Sequence, residues 1–207
     1  MKLYMDLSRL ESLEPVIHKP GVVTIDNFLT TEQCHHLIDI SEQGGFEAAS
    51  VRLPGGAKRR TDIRNNDRYM IDDEELANSL WNGAELFSDA FDFEQRPVCL
   101  NERIRFYRYD PEQRFKRHRD GIEIIRDLTS KVTFMVYLNE DFEGGSTVFS
   151  DFTFEDGKRL EEKLDIAPKT GTALMFIHQL WHEGQILTTG RKYVLRTDVL
   201  YESTPEE

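Results

Sequence analysis

The 207-residue sequence predicts an α+β fold, mainly β, and two observations predict it. Up to about residue 96 the apolar residues recur every three or four positions, the spacing of helices buried on one face. From residue 97 the period drops to two, in short runs separated by turn residues, the spacing of half-buried strands. Helices followed by many short strands make a segregated layout, with an antiparallel sandwich or closed roll in the second part.

Residues 1–20 read as a loosely structured lead-in, and Val22–Ile25 as a short strand. Thr30 with Gln33 three residues later is a capping box. It predicts a helix over 31–43 with Cys34, Leu37 and Ile38 inward, His35 and His36 on the surface, and Gly44-Gly45 as its end. Residues 50–63 read as a loop containing Pro54-Gly55-Gly56 and the basic run Lys58-Arg59-Arg60, and the polar run Arg64-Asn65-Asn66-Asp67-Arg68 follows. A second helix is expected to start near Asp72, with Glu75 as capping partner. Leu76, Leu80, Ala84, Phe87 and Phe91 line its buried face, and Trp81 flanks it. Strands are predicted at 101–109, 132–138, 146–150, 162–167, 172–177, 182–188 and 191–201. There is no internal repeat, and the only biased stretch is the acidic tail after Tyr201.

Composition narrows the function classes. Hydrophobic residues make up 39% and aromatics 11%, enough for a packed core. No run of about 18 apolar residues offers a membrane span. The opening residues lack the apolar stretch and cleavage site of a signal peptide. Cys34 and Cys99 form no disulfide framework. A cytoplasmic protein is therefore expected, with no membrane partner. A net charge of −12 opposes nucleic acid, whose binding depends on Lys and Arg neutralising phosphates. Lys116, Arg117 and Arg119 nevertheless cluster around His118, either as a local basic patch or as a solvated loop.

The chemistry centres on Arg114–Gly121, which holds His118 and Asp120 two residues apart. With six histidines and 38 acidic residues in the chain, one such pair is expected by chance, so the pair alone carries little. His182-Glu183-Gly184 can supply a third ligand. Two imidazoles and one carboxylate on one face make the facial triad of non-haem Fe(II) oxygenases, and neither stretch contains a cysteine to favour a thiolate metal.

Several separate stretches carry a resemblance from about Gly21 to Tyr201. Tyr109 stands nine residues before His118. Val136-Tyr137-Leu138-Asn139, Gly144-Gly145-Ser146-Thr147-Val148-Phe149 and Gly171-Thr172-Ala173-Leu174-Met175-Phe176 follow in order. His182-Glu183-Gly184 leads to Gly190-Arg191-Lys192. Together they resemble the 2-oxoglutarate/Fe(II) dioxygenases, in their prolyl 4-hydroxylase-like branch. The resemblance implies a double-stranded β-helix: one domain over 1–207, with 1–96 as helical and strand support and 97–201 as the barrel core. It implies Fe(II), 2-oxoglutarate and O2 as cofactors, ascorbate as a candidate reductant, and hydroxylation of an unactivated C–H bond with release of succinate and CO2. It casts His118, Asp120 and His182 as metal ligands, Lys192 as partner of the far carboxylate of 2-oxoglutarate, Tyr137 as a further hydrogen-bond donor to it, and Tyr109 as a lining residue.

Strand alternation aims Arg105, Tyr107 and Tyr109, then Thr133, Met135 and Tyr137, then Lys192, Val194, Arg196 and Asp198 into one cup. Arg196 is thus an alternative carboxylate partner, able to grip it with two N–H groups, whereas Arg191 faces outward. His178 is the rival distal ligand. Arg64, Asn66 and Arg105 are candidate contacts for a polar or anionic substrate, or else members of a structural ion-pair network. The substrate class stays open between a peptidyl residue, prolyl included, and a small molecule. A nucleic-acid demethylase and a barrel that binds metal or ligand without catalysis are the alternatives.

Overall fold

The strand-rich half closes on itself. The computed structural model describes residues 2–49, 51–53, 56–58, 60–155 and 158–203. Its larger sheet runs Val16–Lys19, Val22–Ile25, Ala173–Ile177, Leu128–Tyr137, Lys192–Glu202, Arg103–Tyr109, Asp67–Asp72, Glu47–Ala48. Ile124–Ile125 and Pro97–Leu100 add to its flanks. A four-stranded sheet orders Lys158–Ile166, Thr147–Glu155, His182–Gly184 and Phe115–His118. All the strand pairs in both sheets are antiparallel. This is a mainly β fold of the double-stranded β-helix type. Among the described residues, no helix is long and apolar enough to cross a membrane.

Period-two alternation gives the larger sheet two unlike faces. Ile104, Phe106, Phe134, Val136, Leu195 and Val199 point one way and pack with Leu37, Leu76, Leu80 and Trp81 of the helices. Tyr107, Tyr109, Met135, Tyr137 and Val194 point the other way and pack with Phe149 and Ile166 of the smaller sheet.

The two long helices buttress the apolar face. The helix Thr31–Gly44 has its capping box, with Thr30 Oγ1 accepting from Gln33 N and the Gln33 side chain accepting from Thr30 N. Cys34 and Leu37 are buried, while His35 and His36 are exposed. The second helix is Glu74–Ala84, and its cap is Asp73, one residue later than expected. Asp73 accepts from Leu76 N, whereas Asp72 ends a strand and pairs with Arg103. The helix tightens into a 3-10 turn over Glu85–Ala90, and Phe87 and Phe91 stay buried through the change.

Other expectations change. The lead-in is ordered: a short helix, Leu7–Glu11, is capped by Asp6, and Val16–Lys19 forms an edge strand. Leu3, Met5 and Leu10 bury in the helical core, which gives the segment its anchor. The 50–63 loop contains a hairpin, Val51–Leu53 with Gly56–Lys58. Ser50, Pro54, Gly55 and Arg59 lie outside the described residues, as does the acidic tail beyond Ser203. Strands at Asp67–Asp72, Pro97–Leu100 and Phe115–His118 were not expected, and 182–188 resolves into two strands, His182–Gly184 and Leu187–Thr189. The polar 67–72 strand pairs with Arg103–Tyr109 through ion pairs such as Arg108 with Asp67, so a hydrophobic pattern does not mark it.

Candidate active site

The open end of the barrel holds a cavity lined by residues of both sheets, among them Tyr107, Tyr109, Phe115, His118, Asp120, Thr133, Thr147, His182, Lys192 and Arg196. His118 and His182 sit directly opposite each other in an antiparallel register, so two residues far apart in sequence share one spot. Asp120 reaches that spot because its backbone N–H donates to His178 O at 3.1 Å. One ligand atom from each of His118, Asp120 and His182 lies within 4.8 Å of the others.

The protonation of the cluster suits a cation. Lys116 O lies 2.8 Å from His118 Nδ1, and Leu180 O lies 3.0 Å from His182 Nδ1. A carbonyl only accepts, so each Nδ1 is the protonated nitrogen and each Nε2 offers a lone pair. Those Nε2 atoms each stand 3.7 Å from an Asp120 oxygen. Burial pushes His118 down to about 3 and lowers His182 too, so both rings are neutral at physiological pH. Burial alone would raise Asp120, but the Arg196 guanidinium and the hydrogen bond from Thr133 outweigh it and hold the carboxylate ionised. Two neutral nitrogens and one carboxylate oxygen, converging without a thiol, fit an Fe(II) ion.

Behind the cluster runs a buried chain of charges. Arg196 Nη2 lies 3.1 Å from Asp120 and 3.1 Å from Asp198, and it donates to Thr133 Oγ1 at 3.3 Å. Asp198 also pairs with Arg105 at 2.9 Å, and Arg105 lies 3.7 Å from Glu123. Thr133 donates to the other side of the network, at Asp120 Oδ2, 2.6 Å. Arg105 faces the cup as the alternation requires, but its guanidinium is engaged by Asp198. His178, the rival ligand, stands apart from the cluster, with Nε2 3.3 Å from Asp198.

Lys192 differs from its neighbours. It is 4% exposed and, among the described residues, has no carboxylate partner. Its Nζ donates to Gly145 O and lies over the rings of Tyr109 (5.5 Å) and Tyr137 (5.2 Å). Gly145 has φ +66°, and a Cβ there would crowd Leu187 and Lys192 at 3.0 and 3.2 Å, so the Gly144-Gly145 pair shapes this pocket. Burial alone pulls Lys192 down to about 7. Tyr137 donates to Thr147 Oγ1 at 2.7 Å, which leaves Thr147, rather than the tyrosine, lining the cavity. Sequence reasoning gave Thr147 no role, although it is the threonine of the quoted Gly-Gly-x-Thr-x-Phe stretch.

Arg64 and Asn66 lie beside the cavity. Ile63–Asn65 pairs its backbone with Arg114–Lys116, and this seats the Arg64 guanidinium between the rings of Tyr107 (4.2 Å) and Phe115 (4.5 Å). Asn66 is fully buried and accepts from Arg64 Nε at 2.6 Å. Phe115 in turn stacks on His118, with ring centroids 3.5 Å apart. Strand alternation aims Tyr107 and Thr133 into the cup, whereas Phe115 escaped the sequence reading because only the cross-strand register brings it to the metal ligands. The basic cluster is not a free patch: Arg117 donates to Ser150 Oγ, and both Arg117 and Arg119 stack on Trp181.

Residues 104–197 match the 2OG-Fe(II) oxygenase superfamily model, and this span contains every residue of the cluster. This stretch, 94 of the 207 residues, is similar to the 2OG-Fe(II) oxygenases, and the relatives are of the prolyl 4-hydroxylase-like kind. The relatives found by sequence point the same way. Prolyl 4-hydroxylase 1 of Arabidopsis thaliana is 25% identical over 180 residues, 83% of this chain and 63% of the relative. A PKHD-type hydroxylase of Crocosphaera subtropica is 25% identical over 84% of this chain and 76% of its own length. The chain thus spans about three fifths of the length of the plant relatives it matches. Among solved structures, a Pseudomonas putida prolyl-4-hydroxylase superposes with TM-score 0.62 at 18% identity, covering 93% of this chain and 98% of that one. A viral collagen prolyl hydroxylase from Paramecium Bursaria Chlorella virus-1 gives 0.56 at 20% identity, covering 89% and 98%. These likenesses are of fold.

Proposed function

We propose that the protein hydroxylates an unactivated C–H bond of a peptidyl or small-molecule substrate, consuming 2-oxoglutarate and O2 and releasing succinate and CO2. The observation that carries this reading is the pairing of the His118–Asp120–His182 cluster with a buried Lys192 that no described carboxylate partners, in one cavity. His118, Asp120 and His182 would hold Fe(II), and bound iron with its 2-oxo acid supplies the oxidising chemistry.

The rest falls to this chain's own residues. Asp120 is held in its ionised state and fixed in place by Arg196 and Thr133. Lys192 offers a cation to the far carboxylate of 2-oxoglutarate, an assignment supported by the engagement of Arg196 with two aspartates. Tyr109 and Tyr137 flank that ammonium and, with Phe176 and Val194, keep water from the carboxylate. Tyr137 acts through Thr147, whose hydroxyl it orients. The structural neighbours include a Trichoplax adhaerens prolyl hydroxylase in complex with a hypoxia inducible factor peptide, which keeps a peptide substrate among the candidates.

Anaerobic titration of 2-oxoglutarate into Fe(II)-loaded protein tests the reading, through the weak visible charge-transfer band of a chelated 2-oxo acid. The band is expected. Lys192→Ala should keep the metal and raise the 2-oxoglutarate requirement about 10- to 100-fold, the loss of a charged hydrogen bond. An unchanged requirement would move the role to Arg196. No band and no calorimetric binding would leave a barrel that binds without catalysis.

A further inference from the structure

Two buried cations, one lining this cavity and one packed beside it, have no carboxylate partner among the described residues, and Lys192 is only the first. The second is Arg64, 5% exposed. Among the described residues no carboxylate stands within salt-bridge distance of it, and its Nη2 is buried without a hydrogen-bond partner. It packs against the rings of Tyr107 and Phe115, donates from Nε to Asn66, and lies within hydrogen-bonding reach of the Tyr107 and Tyr109 hydroxyls, none of them a carboxylate. A buried guanidinium with an open N–H is costly unless something anionic completes it.

The charges elsewhere at the site balance without Arg64. Arg196 and Arg105 are matched by Asp198 and Glu123. A divalent cation with Lys192 is matched by Asp120 and a dicarboxylate cosubstrate. One positive charge is left over, on Arg64. Its place is also specific: Arg64 stacks on Phe115, and Phe115 stacks on His118. An anion held there would lie one aromatic ring away from the metal ligands.

We infer that Arg64 is a substrate-binding residue and that the substrate carries a carboxylate, to which the unpartnered Nη2 of Arg64 donates beside Tyr107. The inference rests on the oxygenase reading and narrows it to a substrate class. A guanidinium fork matches a carboxylate geometrically, which an ammonium does not. Asn66 fixes the fork by accepting from Nε, and the two rings hold its plane. Arg64 is thus oriented before the ligand arrives.

The test is calorimetric binding to protein loaded with Zn(II) and 2-oxoglutarate, in which no turnover occurs. The probes are the free L-amino acids, their primary amides, and capped tripeptides containing one Asp or Glu. At least one free acid or acidic tripeptide should bind, with its uncharged amide weaker by tenfold or more. Whichever of the two sets responds separates a free acid from an acidic side chain as the source of the carboxylate. Arg64→Gln should remove the preference for acid over amide, and Arg64→Lys should restore part of it. Equal binding of acids and amides, binding by none of the acids, or an acid preference that survives Arg64→Gln would each overturn the assignment. The acid–amide comparison uses the native chain, so it stands even where a variant fails to fold. The charge-transfer titration separates the two claims: a protein that chelates 2-oxoglutarate yet shows no acid preference loses this inference alone.

Discussion

The two faces of the larger sheet are made by the same strands and obey opposite rules. One face, with Phe106, Phe134, Val136 and Leu195, is mostly apolar and closed by helices. The other, one residue out of step, has Arg105, Tyr107, Thr133, Lys192, Arg196 and Asp198. The first is held by area removed from water and tolerates any side chain of similar shape. The second is held by paired charges that only specific partners satisfy. The difference teaches that stability and chemistry occupy alternate positions of one strand, so neighbouring substitutions should fail in different ways.

His182→Ala has the largest expected effect on function. It should abolish turnover and the charge-transfer band, with a thermal melt of the metal-free protein close to the native one. Survival of activity here, with loss in His178→Ala, would reassign the distal ligand. On the apolar face the failure should invert. Phe134→Ala removes a fully buried ring that packs edge-on against Phe28 at 5.4 Å, at a cost of about 3–5 kcal/mol. Denaturant unfolding would read this, and the remaining folded fraction should bind Fe(II) normally.

A smaller effect should come from Arg196→Gln, which breaks the link from Asp120 to Asp198 while leaving the ligand set whole. Fe(II) affinity should fall about 10- to 100-fold, as for other groups that orient a ligand. An unchanged metal affinity would make Arg196 a purely structural cation. The smallest effect is one of pH. Burial holds Lys192 at about 7 against its ordinary 10.5. In the free protein the unfolded chain binds more protons across that window, so stability should rise as pH climbs from about 7 to 10.5. Binding of 2-oxoglutarate needs the charged form, so its affinity should move the opposite way, falling by up to about tenfold per unit above pH 7. Calorimetry in buffers of different ionisation heat should detect a proton taken up on binding near pH 8, and the uptake should vanish in Lys192→Arg.

How far the sequence anticipates this arrangement depends on whether the information is local. The capping box at Thr30, the buried stripe from Leu76 to Phe91, and the alternation of 103–109 and 192–202 are local, and all are legible. Alternation also places Lys192 and Arg196 on one face before any coordinates are known. The polar strand Asp67–Asp72 and the four residues ending in His118 are not legible as strands, since charged side chains satisfied by cross-strand partners leave no hydrophobic signature. Arg64 reads as one of two arginines in a polar run and as a candidate contact for an anionic substrate. Its lack of a carboxylate partner among the described residues depends on which side chains fail to reach it, a property of the assembled barrel.

The short strands holding the two imidazoles have a mechanical consequence. Phe115–His118 and His182–Gly184 meet through very few backbone pairings, and the former borders the four-stranded sheet. An ion bridging them would act as a clasp between pieces of chain 64 residues apart, closing a loop whose entropy the backbone pairings do little to restrain. Amide hydrogens along both strands should then exchange slowly only when the clasp is shut, and the barrel mouth would tighten at the moment its metal arrives.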